Sequence, residues 1–228
     1  MNLAFPLPVR AVMIDLDGTL LDTVPDLAVA ANAMLADMGR PALDVALIRT
    51  FVGKGIARLV EKSVAASLGR APGPAELDEA LVLFERCYSA VNGKHTSIYP
   101  GVFEGLKRLR EMAMPLACVT NKAGRFTQPL LERMRLAPYF SQVVAGDTLP
   151  RKKPDPLPLT HVCEQLGIAP AQMLMIGDSA NDAEAARSAG CPVFCVDYGY
   201  SEGRDVRELD IDAIVPSLFE ATRLIEKT

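Results

Sequence analysis

Positive charge is not in excess in this chain: 24 Lys and Arg stand against 28 Asp and Glu, a net charge of -4. A nucleic-acid footprint needs a clustered basic face, so no nucleic-acid partner is expected. Histidine is scarce, and His95 and His161 lie far apart in sequence, which argues against a zinc site. The cysteines Cys87, Cys118, Cys163, Cys191 and Cys195 are odd in number and scattered, with no Cys-x-x-Cys pair; Cys191 and Cys195 only flank an apolar Pro-Val-Phe. They read as reduced, mostly buried thiols of a cytoplasmic protein. No apolar run approaches a membrane span, and the first residues lack a charged segment followed by a long apolar one. Neither a membrane partner nor a secretory leader is expected. Repeats and low-complexity linkers are missing too, and Met1 to Pro8 reads as a loose tail.

What is present is an ordinary globular balance, 50% hydrophobic and 23% charged, in 228 residues. That length suits one large domain or two modest ones with a buried core. The most informative stretch is Val12-Met13-Ile14-Asp15-Leu16-Asp17-Gly18-Thr19-Leu20. A short apolar run reads as a buried strand, spanning Val9 to Leu16, and Gly18 marks where the chain turns away. Ligands of open α/β sheets bind at the carboxyl ends of the strands, where these two acids stand. Two like charges that close are costly to bury unless a cation sits beside them. The plain alternative is a strand end with solvated acids.

From about Asp22 to Val91 the pattern is helix after helix. Leu27, Ala31, Met34, Leu35 and Met38 make one stripe, stopped by Gly39 and Pro41. Ile56, Leu59, Val60 and Val64 make a second, and Leu77, Leu81, Phe84 and Tyr88 a third. About seventy residues are too many for an ordinary crossover, so a separate helical module over the sheet's carboxyl edge is expected. From Tyr99 onward strands and helices alternate, which implies a parallel sheet with helices on both faces. The strands are Pro115 to Val119, Gln142 to Ala145, Met173 to Ile176, Val193 to Val196 and Ala213 to Val215. Phe103, Leu106 and Leu109 are expected on the buried face of the helix after Pro100-Gly101. Further helices are expected near Gln128 to Arg135, from Pro154 to Leu166, and after Asp178 up to a Gly190 C-cap. A final helix carries Leu218, Phe219 and Leu224.

Three further polar clusters stand at strand ends or in loops: Thr120-Asn121, Lys153 in Arg-Lys-Lys-Pro-Asp-Pro, and Asp178 with Asp182 in Gly-Asp-Ser-Ala-Asn-Asp. Pro154 disfavours a helical lysine. Singly, Thr120 reads equally as a helix cap, Lys153 as a solvated base and Asp182 as a first-turn acid. In chain order, however, they supply a nucleophile, phosphate donors, a cation and a divalent-metal cradle. With Asp-Leu-Asp-Gly-Thr-Leu at the start, this order resembles the four signatures of the haloacid dehalogenase-like hydrolase superfamily over nearly the whole chain.

The resemblance implies a Rossmann-like α/β core of residues 1–20 and 94–228, with a small helical cap of 21–93 inserted after the first strand. It implies Mg2+ held by Asp15 and Asp178 through side chains and by Asp17 through its carbonyl. Asp15 becomes the nucleophile, Asp17 the general acid and base, and Thr120, Asn121 and Lys153 the phosphoryl-binding set. Asp182 orients Lys153 or a metal-bound water. Relatives that remove halide lack an acid at the place of Asp17, and phosphonoacetaldehyde hydrolases carry a small residue there. A phosphatase, or less often a sugar-phosphate mutase, remains.

Tyr99-Pro100-Gly101-Val102, Gly146 to Pro150, Lys153 to Leu159 and Asp197-Tyr198-Gly199-Tyr200 are similar to the group acting on 2-phosphoglycolate. Phosphatases of amino-sugar phosphates or pyrophosphate and β-phosphoglucomutases share parts of these strings. A receiver-like phospho-aspartate module is the non-enzymatic alternative, which the large insert and the late acid pair oppose. Val52-Gly53-Lys54-Gly55 interrupts the helices, and Lys54, with Arg58 a turn on, is a candidate for a substrate carboxylate; an ordinary solvated turn lysine is the other reading. The partner is a small phosphorylated metabolite, and the chain is expected to be a monomer or homodimer.

Overall fold

A computed structural model describes residues 5–228. The elements begin with β1 (Leu7–Val9), β2 (Ala11–Ile14), β3 (Leu21–Asp22), α1 (Val24–Asp37), α2 (Val45–Arg49), α3 (Ile56–Leu68) and α4 (Pro74–Val91). Then come β4 (Ser97–Ile98), α5 (Val102–Glu111), β5 (Leu116–Val119), α6 (Gly124–Arg133), β6 (Gln142–Val144) and α7 (Leu157–Leu166). The chain closes with β7 (Met173–Gly177), α8 (Ala180–Ala189), β8 (Val193–Val196), β9 (Ala213–Val215), α9 (Leu218–Ala221) and β10 (Ile225–Lys227).

Six strands form one parallel sheet in the order β6-β5-β2-β7-β8-β9. Strands β2, β5, β7 and β8 are buried along their whole length, as uninterrupted apolar strands must be when helices cover both faces. Alternation along β2 sends Val12 and Ile14 into a cluster with Leu106, Leu109, Leu130 and Leu218. It sends Ala11 and Met13 into the opposite cluster with Leu159, Val162, Ala185 and Ala186. The chain runs outward from β2 through β5 to β6 on one side and through β7, β8 and β9 on the other. The carboxyl ends of β2, β5 and β7 therefore meet at a topological switch point, where open α/β sheets bind ligands.

Helices α1 to α4 enclose a cluster of their own, built on Met34, Leu35, Val60, Phe84 and Tyr88 and joined from the sheet side by Phe126 and Tyr200. The two connections to the sheet pair with each other as β3 and β4, antiparallel, with Leu21 opposite Ile98 and Asp22 opposite Ser97. Buried Asp26 in the first turn of α1 ties them further. Its carboxylate accepts from the N–H groups of Gly93 (2.8 Å), His95 (2.8 Å) and Thr96 (3.1 Å) and from Thr96 Oγ1 (2.6 Å). Arg49 of α2 reaches back to the sheet side and donates to the carbonyls of Tyr198 (3.1 Å) and Gly199 (3.0 Å). No helix among the described residues is long and apolar enough to cross a membrane.

Some expectations are corrected. Residues 1–4 of the expected tail lie outside the described residues, but Leu7 and Pro8 belong to β1, which pairs with β10. The strand expected over Val9 to Leu16 is two strands, because β1 pairs away from the sheet that β2 enters. Phe103 is 41% exposed, since the inward face of α5 is Val102, Gly105, Leu106 and Leu109, a stripe at helical spacing that leaves Phe103 outside. Leu224 lies beyond α9, on the connection to β10.

Candidate active site

Asp15 follows β2, Thr120 follows β5 and Asp178 follows β7, so adjacency of these strands brings the three side chains together. They line one pocket with Asp17, Asn121 and Lys153, closed on the helical side by Leu27, Val52, Gly53, Gly55, Ile56 and Leu59. Carboxylate oxygens of Asp15, Asp178 and Asp182 lie within 4.8 Å of one another. Gly18, at φ +91°, and Gly199 allow this crowding: a Cβ at either would collide with the Asp178 carboxylate.

Lys153 Nζ donates to the carbonyl of Val119 (2.6 Å) and to Asp182 Oδ1 (2.6 Å). It also lies 2.9 Å from Asp15 Oδ1, but out of hydrogen-bonding direction, and that buried oxygen has no donor. Both oxygens of Asp182 are engaged, because Oδ2 accepts from the N–H groups of Asp178 (3.2 Å) and Ser179 (3.2 Å) and from Ser179 Oγ (2.8 Å). Asp178 Oδ2 accepts from the Tyr200 N–H at 2.6 Å.

The charges do not balance inside the protein. Burial pushes the Asp15 carboxyl from 3.8 up to about 7, against the pull of Lys153 and helped by repulsion from Asp182. Burial, then Asp182 and Asp15, hold Asp178 well above the usual carboxylate range. For Lys153 burial works against the charge, yet Asp15 and Asp182 outweigh it and raise the ammonium above its ordinary value. The surplus is negative. An orphaned carboxylate oxygen on Asp15 and an all-oxygen donor set with Asp178 fit a hard divalent cation.

Asp17 faces different partners. Its carboxylate accepts from Thr23 Oγ1 (2.7 Å) and from Lys122 Nζ (3.0 and 3.2 Å). The Asn121 amide donates to the carbonyls of Gly53 (3.0 Å) and Lys153 (2.9 Å), bridging the helical turn and the lysine loop. Lys54 is not brought to this cluster. Its side chain is exposed and outside the pocket lining, although Gly53 and Gly55 on either side line it, and its carbonyl accepts from Lys152 Nζ at 2.8 Å. Arg58 is exposed as well and pairs with Glu61 at 2.6 Å.

Sequence reasoning missed Lys122, Thr23 and Tyr200. Lys122 carried a signal, being next to Thr120-Asn121 at a strand end. Tyr200 carried a weaker one in the Asp197 to Tyr200 string. Its hydroxyl accepts from the N–H groups of Thr23 (2.7 Å) and Val24 (3.3 Å) while its ring lies under the Arg49 guanidinium, 4.7 Å away. Those contacts span 151 to 177 positions of sequence and no local pattern announces them.

Residues 12–196 match the family model described as haloacid dehalogenase-like hydrolase. The chain is 58% identical over 224 residues to the phosphoglycolate phosphatase of Nitrosospira multiformis, covering 98% of this chain and 99% of that one. It is 51% identical over 224 residues to the phosphoglycolate phosphatase of Thiobacillus denitrificans, with the same shares covered. A crystal structure of a predicted phosphoglycolate phosphatase from Haemophilus somnus superposes with a TM-score of 0.90 at 32% identity, over 94% of this chain and 96% of that one.

Proposed function

The chain belongs to the haloacid dehalogenase-like hydrolases, and on that premise we propose that it is a magnesium-dependent phosphatase converting 2-phosphoglycolate to glycolate and phosphate. The observation that carries the substrate is the 58% identity, over nearly the full length, to a relative bearing that name. The alternation of residues 1–20 and 94–228 then acts as hydrolase core, and 21–93 as a cap that excludes water and frames the leaving group. The setting is cytoplasmic, and the chain works as a monomer or homodimer.

Asp15 attacks phosphorus, forming an aspartyl-phosphate as the phosphorus–ester oxygen bond breaks. Asp17 gives its carboxyl proton to that oxygen, so glycolate leaves as an alcohol rather than an alkoxide. Asp17, now a carboxylate, takes a proton from water as the water oxygen bonds to phosphorus. The bond to Asp15 breaks, phosphate is released and both acids return to their starting states. Thr120, the N–H of Asn121 and the Lys153 ammonium hold the phosphoryl oxygens against their growing charge. Asp182 keeps Lys153 aimed. Asp15, Asp178 and the carbonyl of Asp17 would hold Mg2+, which when bound offsets the repulsion between carboxylate and phosphoester.

Free phosphate is measured from 2-phosphoglycolate, amino-sugar phosphates, pyrophosphate and β-glucose 1-phosphate, each with Mg2+ and with EDTA. The reading expects Mg2+-dependent release that is fastest from 2-phosphoglycolate. A preference for another ester reassigns the substrate, phosphoryl return to a sugar makes the chain a mutase, and a phosphoaspartate persisting for hours removes hydrolysis altogether.

A further inference from the structure

Lys122 and Lys153 are the two ammonium groups lining the pocket among the described residues, and they are held differently. Lys153 is enclosed by two carboxylates and a backbone carbonyl. Lys122, equally buried, has the carboxylate of Asp17 and the face of the Tyr88 ring, 4.9 Å from Nζ. An ammonium carries three donors and no acceptor, so this environment leaves Lys122 able to bind another anion. Its backbone is fixed independently: its N–H donates to Thr120 Oγ1 (3.2 Å), and its carbonyl accepts from the Gly146 N–H (2.8 Å) and Thr127 Oγ1 (3.2 Å).

We propose that Lys122 determines specificity by binding the carboxylate of the leaving group, beside the ester oxygen that meets Asp17. The assignment rests on the 2-phosphoglycolate reading and deepens it. In that substrate the carboxylate carbon is two bonds from the ester oxygen. A cation 3.0 Å from the acid that protonates this oxygen is therefore also within reach of the carboxylate. The same placement answers an electrostatic difficulty. Once Asp17 has given its proton to the ester oxygen, the carboxylate beside it faces a like charge, and a cation shared between the two offsets that repulsion. The helical side contributes Tyr88, packed 4.8 Å from Phe126, whose ring steadies the ammonium without neutralising it. Exposed Lys54 and Arg58 stand outside this lining.

The test compares kcat and KM on 2-phosphoglycolate and on ethyl phosphate, which carries a methyl group in place of the carboxylate. Wild type, K122Q, K122R and K54A are measured as full chains, with thermal melts as a check on folding. Wild type is expected to favour 2-phosphoglycolate by at least about tenfold in kcat/KM, as a charge-assisted contact requires. K122Q is expected to lose about 30-fold more on 2-phosphoglycolate than on ethyl phosphate, with partial recovery in K122R and no selective loss in K54A. Equal fractional losses of K122Q on both esters, or a selective loss confined to K54A, would overturn the assignment. So would a wild type without preference, a result that needs no variant to fold. Failure of wild type on 2-phosphoglycolate alongside activity on other esters overturns the substrate reading and this inference together. Activity with an unselective K122Q overturns this inference alone.

Discussion

Asp15 and Asp17 are one residue apart, and each lies beside a lysine, yet their remaining neighbours differ. Asp15 shares a buried cluster with two further acids, whereas Asp17 is held by Lys122 and Thr23. Asp17→Asn is expected to lower kcat by about 10²–10⁴-fold while Mg2+ affinity, read by calorimetry, stays near wild type. Loss of metal in that variant would contradict the assignment of a carbonyl ligand. The acids also make the metal-free protein sensitive to pH. Folding raises Asp15 from 3.8 to about 7, so between those values the folded state binds more protons than the unfolded one. Stability of the EDTA-treated protein should therefore fall as pH rises through that window, and Asp178 works in the same direction. Thermal melts across the window should show this fall, and saturating Mg2+ should remove it, since a bound cation favours the ionised acids. A metal-free melting temperature that rises with pH would contradict the account.

At the scale of elements, the parallel sheet was legible because each of its strands is a short apolar run bounded by turn residues. The acids and Thr120 were legible because such runs end in polar residues at the carboxyl edge. Strands β1, β3, β4 and β10 were not, being two or three residues long and lying outside the strand–helix alternation that marked the equally short β6 and β9. Helix α2 has five residues and escaped for the same reason. Phe103 was misassigned because the stripe through Leu106 and Leu109 can be extended to either neighbouring position, and packing of Gly105 against Leu218 decides it. Asp26 occupies a first helical turn, a common place for an acid, but its four hydrogen bonds join the two connections of the helical insert. Asp26→Ala leaves three backbone donors in this largely buried clamp without their acceptor. The expected loss is about 3 kcal/mol, or roughly 10 °C in Tm. A change under about 2 °C by calorimetry would show that the clamp is dispensable.

Over the whole molecule, the pocket is composite: strand ends contribute the charged groups, and the helical insert contributes the apolar wall, with Tyr88 behind it against Lys122. Arg49, Asn121 and Tyr200 hold the two parts against each other around it. The pairing of Lys122, though not its place at a strand end, was illegible in the sequence for this reason, since its partners come from the first strand's turn and from α4. Every role assigned to the pocket follows from Asp15 becoming covalently phosphorylated. The direct measurement is acid quench of the enzyme during turnover of 2-phosphoglycolate with Mg2+, followed by peptide mapping by mass spectrometry. A phosphoryl group on Asp15, absent from Asp15→Asn, is the predicted result. A label on Asp17 or Asp178, or sustained turnover by Asp15→Asn, would contradict the account.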